Sequence, residues 1–126
     1  MLVDTNIVLG YLSRYFENPI LLALEEVFLY QFEISIITRI ELLGYPKLTE
    51  DQEQHLSILL NQANIHFISE DIAEEAIKIR RSYNLKLGDS IIGATALVSN
   101  QPLLTADLRG FQNIKGLELL RPEGLV

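Results

Sequence analysis

Apolar positions along this chain fall into two kinds of run, and their alternation sets the expected fold. Short runs without a helical period, at Leu2-Val3, Glu33 to Ile37, Ile65 to Ile68, Leu103-Leu104-Thr105 and Leu117 to Leu120, read as β-strands. Longer amphipathic segments lie between them. One helix opens around Asn6, and another begins at Asn18-Pro19, with Asn18 as N-cap and proline at the first helical position, reaching about Tyr30. Thr38 starts a helix that stops near Gly44-Tyr45-Pro46. Thr49, with Gln52 three residues on, forms a capping box for a helix whose Leu56, Leu59 and Leu60 share one face. Ser69 caps a helix from Glu70 to Tyr83, with Ile72, Ala73, Ala76, Ile77 and Arg80 at helical spacing, and Leu87 to Ser99 is a helix buried on most sides.

Strands that alternate with helices predict an α/β fold, a parallel sheet flanked by helices on both faces, in one domain over residues 1–126. Such sheets bind ligands outside the carboxyl ends of their strands. That edge is where several acids fall. Asp4 ends the first strand, Glu41 lies just past the second, Asp107 lies just past the strand at Leu104, and Asp89 occupies the first turn of a helix after a loop.

Each acid also has a purely structural reading. Asp4 is a good N-cap for the helix behind it, Glu41 completes a capping box with Thr38, Asp89 is an N-cap candidate, and Asp107 suits an Asx turn before Arg109. Taken together, four carboxylates at one edge repel one another and resist ionisation, a penalty that a hard divalent cation removes. One or two Mg²⁺ or Mn²⁺ ions are therefore expected among Asp4, Glu41, Asp89 and Asp107, with Arg39 and Arg109 beside them placed for phosphate contact.

Charge complicates this reading. The net charge of −7 and pI of about 4.7 argue against a passive nucleic-acid binder, so a phosphodiester has to be held through bridging cations. Arg80, Arg81, Lys78 and Lys86 form the densest basic group, more simply read as a solvated helix face. His55 and His66 lack a partner at zinc-ligand spacing, and no phosphate-binding glycine loop is present. With no cysteine there is neither a disulfide nor thiol chemistry, which suits the cytoplasm. The chain begins without a signal peptide, and its most apolar stretch, Pro19 to Phe32, is too short to cross a bilayer.

The ordered motifs resemble a known family. Asp4-Thr5-Asn6 after a short first strand, Ile36-Ile37-Thr38-Arg39-Ile40-Glu41-Leu42-Leu43-Gly44, Leu87-Gly88-Asp89-Ser90-Ile91-Ile92-Gly93-Ala94-Thr95-Ala96, and Leu104-Thr105-Ala106-Asp107 with Phe111 look like the four motifs of the PIN domain, in family order. By length and pattern the chain is most similar to the VapC-like toxins of toxin–antitoxin pairs. The resemblance implies Mg²⁺- or Mn²⁺-dependent endonucleolytic cleavage of RNA, dimerisation, and inhibition by a small cognate antitoxin. It also implies that Asp4, Glu41, Asp89 and Asp107 are the acidic quartet, and that Asn6 and Thr105 support it. Ser90 and Gly93 stand where alanine is frequent, a matter of packing.

Three other readings compete. A phosphatase-like site wants an aspartate two residues beyond Asp4, where this chain has Asn6. A PIN-like RNA-processing nuclease would need no antitoxin, and a non-catalytic PIN-like binding module would have no reason to keep a repulsive cluster of acids.

Overall fold

A computed structural model describes all residues, Met1 to Val126. In chain order the elements are β1 (Leu2–Val3), α1 (Thr5–Leu12), α2 (Asn18–Leu29), β2 (Glu33–Ser35), α3 (Ile36–Leu43), α4 (Glu50–Leu60), β3 (Asn64–His66), α5 (Glu70–Tyr83), α6 (Leu87–Val98), β4 (Leu103–Leu104) and β5 (Leu119–Leu120), with 3-10 turns at Phe111–Asn113 and Pro122–Leu125. The strands form one sheet in the order β3-β2-β1-β4-β5, and every pairing is parallel. All carboxyl ends therefore open on the same edge, as the alternating pattern predicts.

Side-chain alternation splits the interior into two cores. Leu2 and Leu103 point to one face, where they pack with Ile72, Ala76 and Ile79 of α5, Ile91 and Ile92 of α6, and Phe111. Val3, Leu104 and Ile34 point to the other, against Ile7 and Val8 of α1, Leu24 and Phe28 of α2, Leu42 of α3 and Leu56 and Leu60 of α4. Two-residue strands have little hydrogen bonding of their own. What fixes β1 and β4 is the full burial of Leu2, Val3, Leu103 and Leu104, each worth about 1.5–3 kcal/mol.

Several boundaries differ from the sequence reading for identifiable reasons. The strand expected to run to Ile37 stops at Ser35, whose hydroxyl accepts from the Ile37 amide at 3.1 Å and caps α3. Thr38 is thus a fully buried residue inside α3, and the capping box it was to make with Glu41 does not form. The cap of α2 is Glu17, without a side-chain bond, so Pro19 falls one residue further into the first turn, where no amide hydrogen is missed. On α5 the buried face runs through Ile72, Ala76 and Ile79, whereas Ile77 and Arg80 face outward. β3 ends at His66, leaving Phe67 and Ile68 exposed, and β5 comprises only Leu119–Leu120. The capping box of Thr49 and Gln52 and the Ser69 cap are both formed.

Candidate active site

Asp4 is the centre of the carboxyl edge. The chain leaves β1 there in extended conformation and turns into α1, so the carboxylate caps that helix while 5% exposed. One oxygen accepts from the Thr5 amide at 2.8 Å and the other from the Thr105 hydroxyl at 2.7 Å. Thr105, fully buried beyond β4, accepts in turn from the Asp107 amide at 3.1 Å and the Asn6 side-chain amide at 3.4 Å. Asn6 also accepts from the Ala106 amide at 3.1 Å. Asn6 and Asp4 are therefore both hydrogen-bonded to the loop that runs from Thr105 to Asp107.

Glu41, on the exposed side of α3, reaches the same edge through a hydroxyl pair. Thr5 donates to Glu41 at 2.8 Å, and its oxygen lies 3.0 Å from the hydroxyl of Thr38. A hydroxyl has one proton, so with Thr5 donating to the carboxylate, Thr38 is the group that donates to Thr5. Asp89 is half-buried in the first turn of α6, where the helix N-terminus favours a negative charge. Asp107 is exposed and forms the Asx turn read from the sequence: its carboxylate accepts from the backbone amide of Arg109 and, at 3.2 and 3.4 Å, from the guanidinium. Arg109 is thus occupied by Asp107, and Arg39 stands on the exposed side of α3.

The acids sense one another electrically. Burial pushes the Asp4 carboxyl up to about 6 against the help of Thr105 and Thr5, and the charges of Asp89 and Glu41 push the same way. Asp89 is raised by burial, opposed by Lys86 and reinforced by Asp107. The Arg109 hydrogen bonds hold Asp107 below its ordinary value. The donor set is all hard oxygen, the type that Mg²⁺ and Mn²⁺ take, and Asp4 retains lone pairs beyond its two hydrogen bonds. No three of these acids converge in ready-made ligating geometry. The donors therefore suit a divalent ion in kind but are not gathered around one point.

Two grooves leave this edge. The first, of about 550 Å³, has Glu41 on its wall and Leu9, Leu12, Leu42, Tyr45, Leu48 and Leu56 along its floor. The second, of about 860 Å³, has Asp107 on its wall with Arg109, Gln112, Arg121 and Glu123. Sequence reasoning placed no residue in the second groove beyond Asp107 and Arg109. A signal for it existed: Leu119-Leu120-Arg121 repeats the short apolar strand with a polar end seen at Leu2-Val3-Asp4 and Leu103-Leu104-Thr105.

The model of the PIN domain family matches residues 1–117. This chain belongs to the PIN-domain family. Among solved structures, this PIN domain is similar to a chain of a toxin–antitoxin complex from Klebsiella pneumoniae, at 36% identity and a TM-score of 0.77, with 96% of each chain covered. It also shares its fold with a chain of VapBC2 from Rickettsia felis bound to a DNA fragment from their promoter, at 22% identity and a TM-score of 0.79, covering 95% of this chain and 96% of that one. FitAcB from Neisseria gonorrhoeae shows the same fold at 24% identity and a TM-score of 0.77, with 97% of each chain covered. No curated protein matches the sequence. No helix of this PIN domain is long and apolar enough to cross a membrane.

Proposed function

We propose that this PIN domain is a divalent-metal-dependent endoribonuclease and the toxin of a toxin–antitoxin pair. The observation that carries the reading is the buried Asp4 carboxylate, raised to about 6, beside the charges of Glu41 and Asp89. Burying this carboxylate, with the charges of Glu41 and Asp89 adding to the effect, carries an electrostatic penalty that a bound cation would relieve. Likeness to the Klebsiella pneumoniae complex supports the toxin assignment.

Asp4 and Asp89 would hold the Mg²⁺ or Mn²⁺, one ion or two, with Glu41 and Asp107 completing the set. Bound there, the metal supplies Lewis-acid stabilisation of phosphate charge and a water of lowered pKa. The chain's own residues do the rest. Thr105 fixes the rotamer of Asp4, and the Thr38–Thr5 hydroxyls fix Glu41. Arg109 is placed to exchange Asp107 for a phosphate oxygen, and Arg39 to meet the same RNA backbone.

The apolar groove beside Glu41 suits a protein partner. Its walls carry Glu41 and Asp51 and no lysine or arginine, so an antitoxin segment with apolar and basic side chains complements it. Two copies of the PIN domain are proposed to pair as a homodimer, supported by the exposed Phe67 and Ile68 beside the free edge of β3. The cytoplasm, where RNA and a co-made antitoxin meet, is the proposed compartment.

The test is incubation of purified protein with cellular RNA, with and without Mg²⁺, followed by mapping of ends. Discrete metal-dependent cuts that vanish in Asp4→Asn are expected. Equal cleavage by wild type and Asp4→Asn, or none in any divalent metal, would remove the reading. Light scattering of the same sample checks the dimer, and recovery of a small basic partner from a co-expressed operon checks the antitoxin.

A further inference from the structure

The sheet register carries one residue further than the family motifs. Leu2 and Val3 pair with Leu103 and Leu104, which pair with Leu119 and Leu120. The hydrogen bonding continues one step past the strands: the Asp4 amide donates to Leu104 at 2.9 Å and the Thr105 amide to Leu120 at 3.0 Å. Asp4, Thr105 and Arg121 are therefore successive members of one row across the ends of β1, β4 and β5. Alternation puts them on one face. Leu2, Leu103 and Leu119 share a core, Val3, Leu104 and Leu120 share the other, and the next residue of each strand returns to the first side. The hydrogen bond between Thr105 and Asp4 shows that the row is real on its first two members. Arg121 has extended backbone, which continues the alternation to the third.

Arg121 is exposed and makes no ion pair, although Glu123 lines the same groove. In a chain of net charge −7, this groove carries Asp107 and Glu123 against Arg109 and Arg121 and so is neutral, and Arg121 is its one cation without an ion pair. At two strand spacings, about 10 Å, its Cα stands too far from Asp4 to share one phosphate and near enough to meet a neighbouring one. The groove that runs past it opens at Asp107.

We propose that Arg121 binds a backbone phosphate of the RNA strand next to the one that is cut, so that the strand leaves the acidic cleft along the groove between Arg109 and Arg121. This rests on the nuclease reading for the identity of the strand. Arg121 acts in binding and does not touch the reacting atoms. Its planar fork suits a phosphate, and no carboxylate has to be displaced first, in contrast to Arg109.

The test is fluorescence anisotropy with a short single-stranded RNA, in EDTA so that metal-dependent hydrolysis is off, titrated with wild type, Arg121→Gln and Arg121→Lys over a range of salt. Arg121→Gln should weaken binding about tenfold and lower the slope of log affinity against log salt by about 0.7, the value for one phosphate contact on a single strand. Arg121→Lys should recover most of the slope and part of the affinity. With Mg²⁺ in place of EDTA, KM should rise and kcat stay within about twofold. Arg121→Gln with wild-type affinity and slope overturns the proposal, as does a wild type that binds no single strand. Binding that depends on Arg121 in a protein that cuts no RNA would retain this site and remove the nuclease, so the two failures are told apart.

Discussion

The groove beside Glu41 and the groove beside Asp107 start from the same acidic edge and offer opposite chemistry. The Glu41 groove is floored by leucines and Tyr45, and its only charged walls are acidic or His55. The Asp107 groove is shallower in apolar contact and carries two arginines, one tied to Asp107 and one free. Apolar area that is exposed and continuous marks a protein partner, whereas an arginine at the rim of an acid cluster marks a phosphate path. On the proposed reading one sheet edge would offer a face to a polypeptide and another to a nucleic acid, and the two grooves have no lining residue in common.

The largest expected effect tests the shared centre. Asp89→Asn should lower metal-dependent RNA cleavage about a thousandfold, several kcal/mol of lost transition-state stabilisation, without altering either groove. A variant with normal turnover would detach the comparison from catalysis. Next is the electrostatic penalty itself. Because the Asp4 carboxyl is raised from 3.8 to about 6, the metal-free folded state holds more protons than the unfolded state between those values. Stability should therefore fall as pH rises from about 4 to about 6, and Asp4→Asn should stabilise the metal-free protein at pH 7 by up to about 3 kcal/mol. Denaturant melts across pH check the sign, and a flat profile would mean that Asp4 is not strained.

Smaller effects separate the two faces. Thr105→Val removes the donor to Asp4, so metal affinity should drop about tenfold to a hundredfold in a titration with Mn²⁺. Leu9→Glu, in the apolar groove, should weaken a co-purified partner about tenfold while leaving cleavage of free RNA unchanged. If both change together, the grooves are not separable. The smallest effect belongs to Arg109→Gln. The pair with Asp107 is exposed and screened by solvent, so its loss should leave the unfolding midpoint close to that of wild type, with a modest rise in KM for RNA. A large loss of stability there would make the pair structural.

Much of this was legible along the chain because it is set by local chemistry. Ser69, Thr49 and Gln52 announce their helices through hydrogen bonds within three residues, and the strand ends at Asp4 and before Asp107 follow from abrupt changes in polarity. Misjudged positions are those where tertiary packing outweighs local preference. Ile36 and Ile37 favour a strand by β-branching, yet Ser35 caps a helix that begins there, and Ile37 packs beneath the α6 side of the sheet. On α5 the local spacing was compatible with Ile77 as core, and only the seat of α5 against α6 selects Ile79. The acids are candidates that sequence alone can name, but the Thr38–Thr5–Glu41 contacts, between residues 33 and 36 apart, are not, since no local pattern encodes them. Arg121 needed the register of three parallel strands.

The central strand has a consequence for synthesis. Asp4 is held by Thr105, 101 residues later, and β1 cannot join β4 until Leu103 and Leu104 have been made. Closing so long a loop comes late in folding. A nascent chain therefore carries Asp4 without its partner until Thr105 has been made, so on the proposed nuclease reading no assembled site exists before that point.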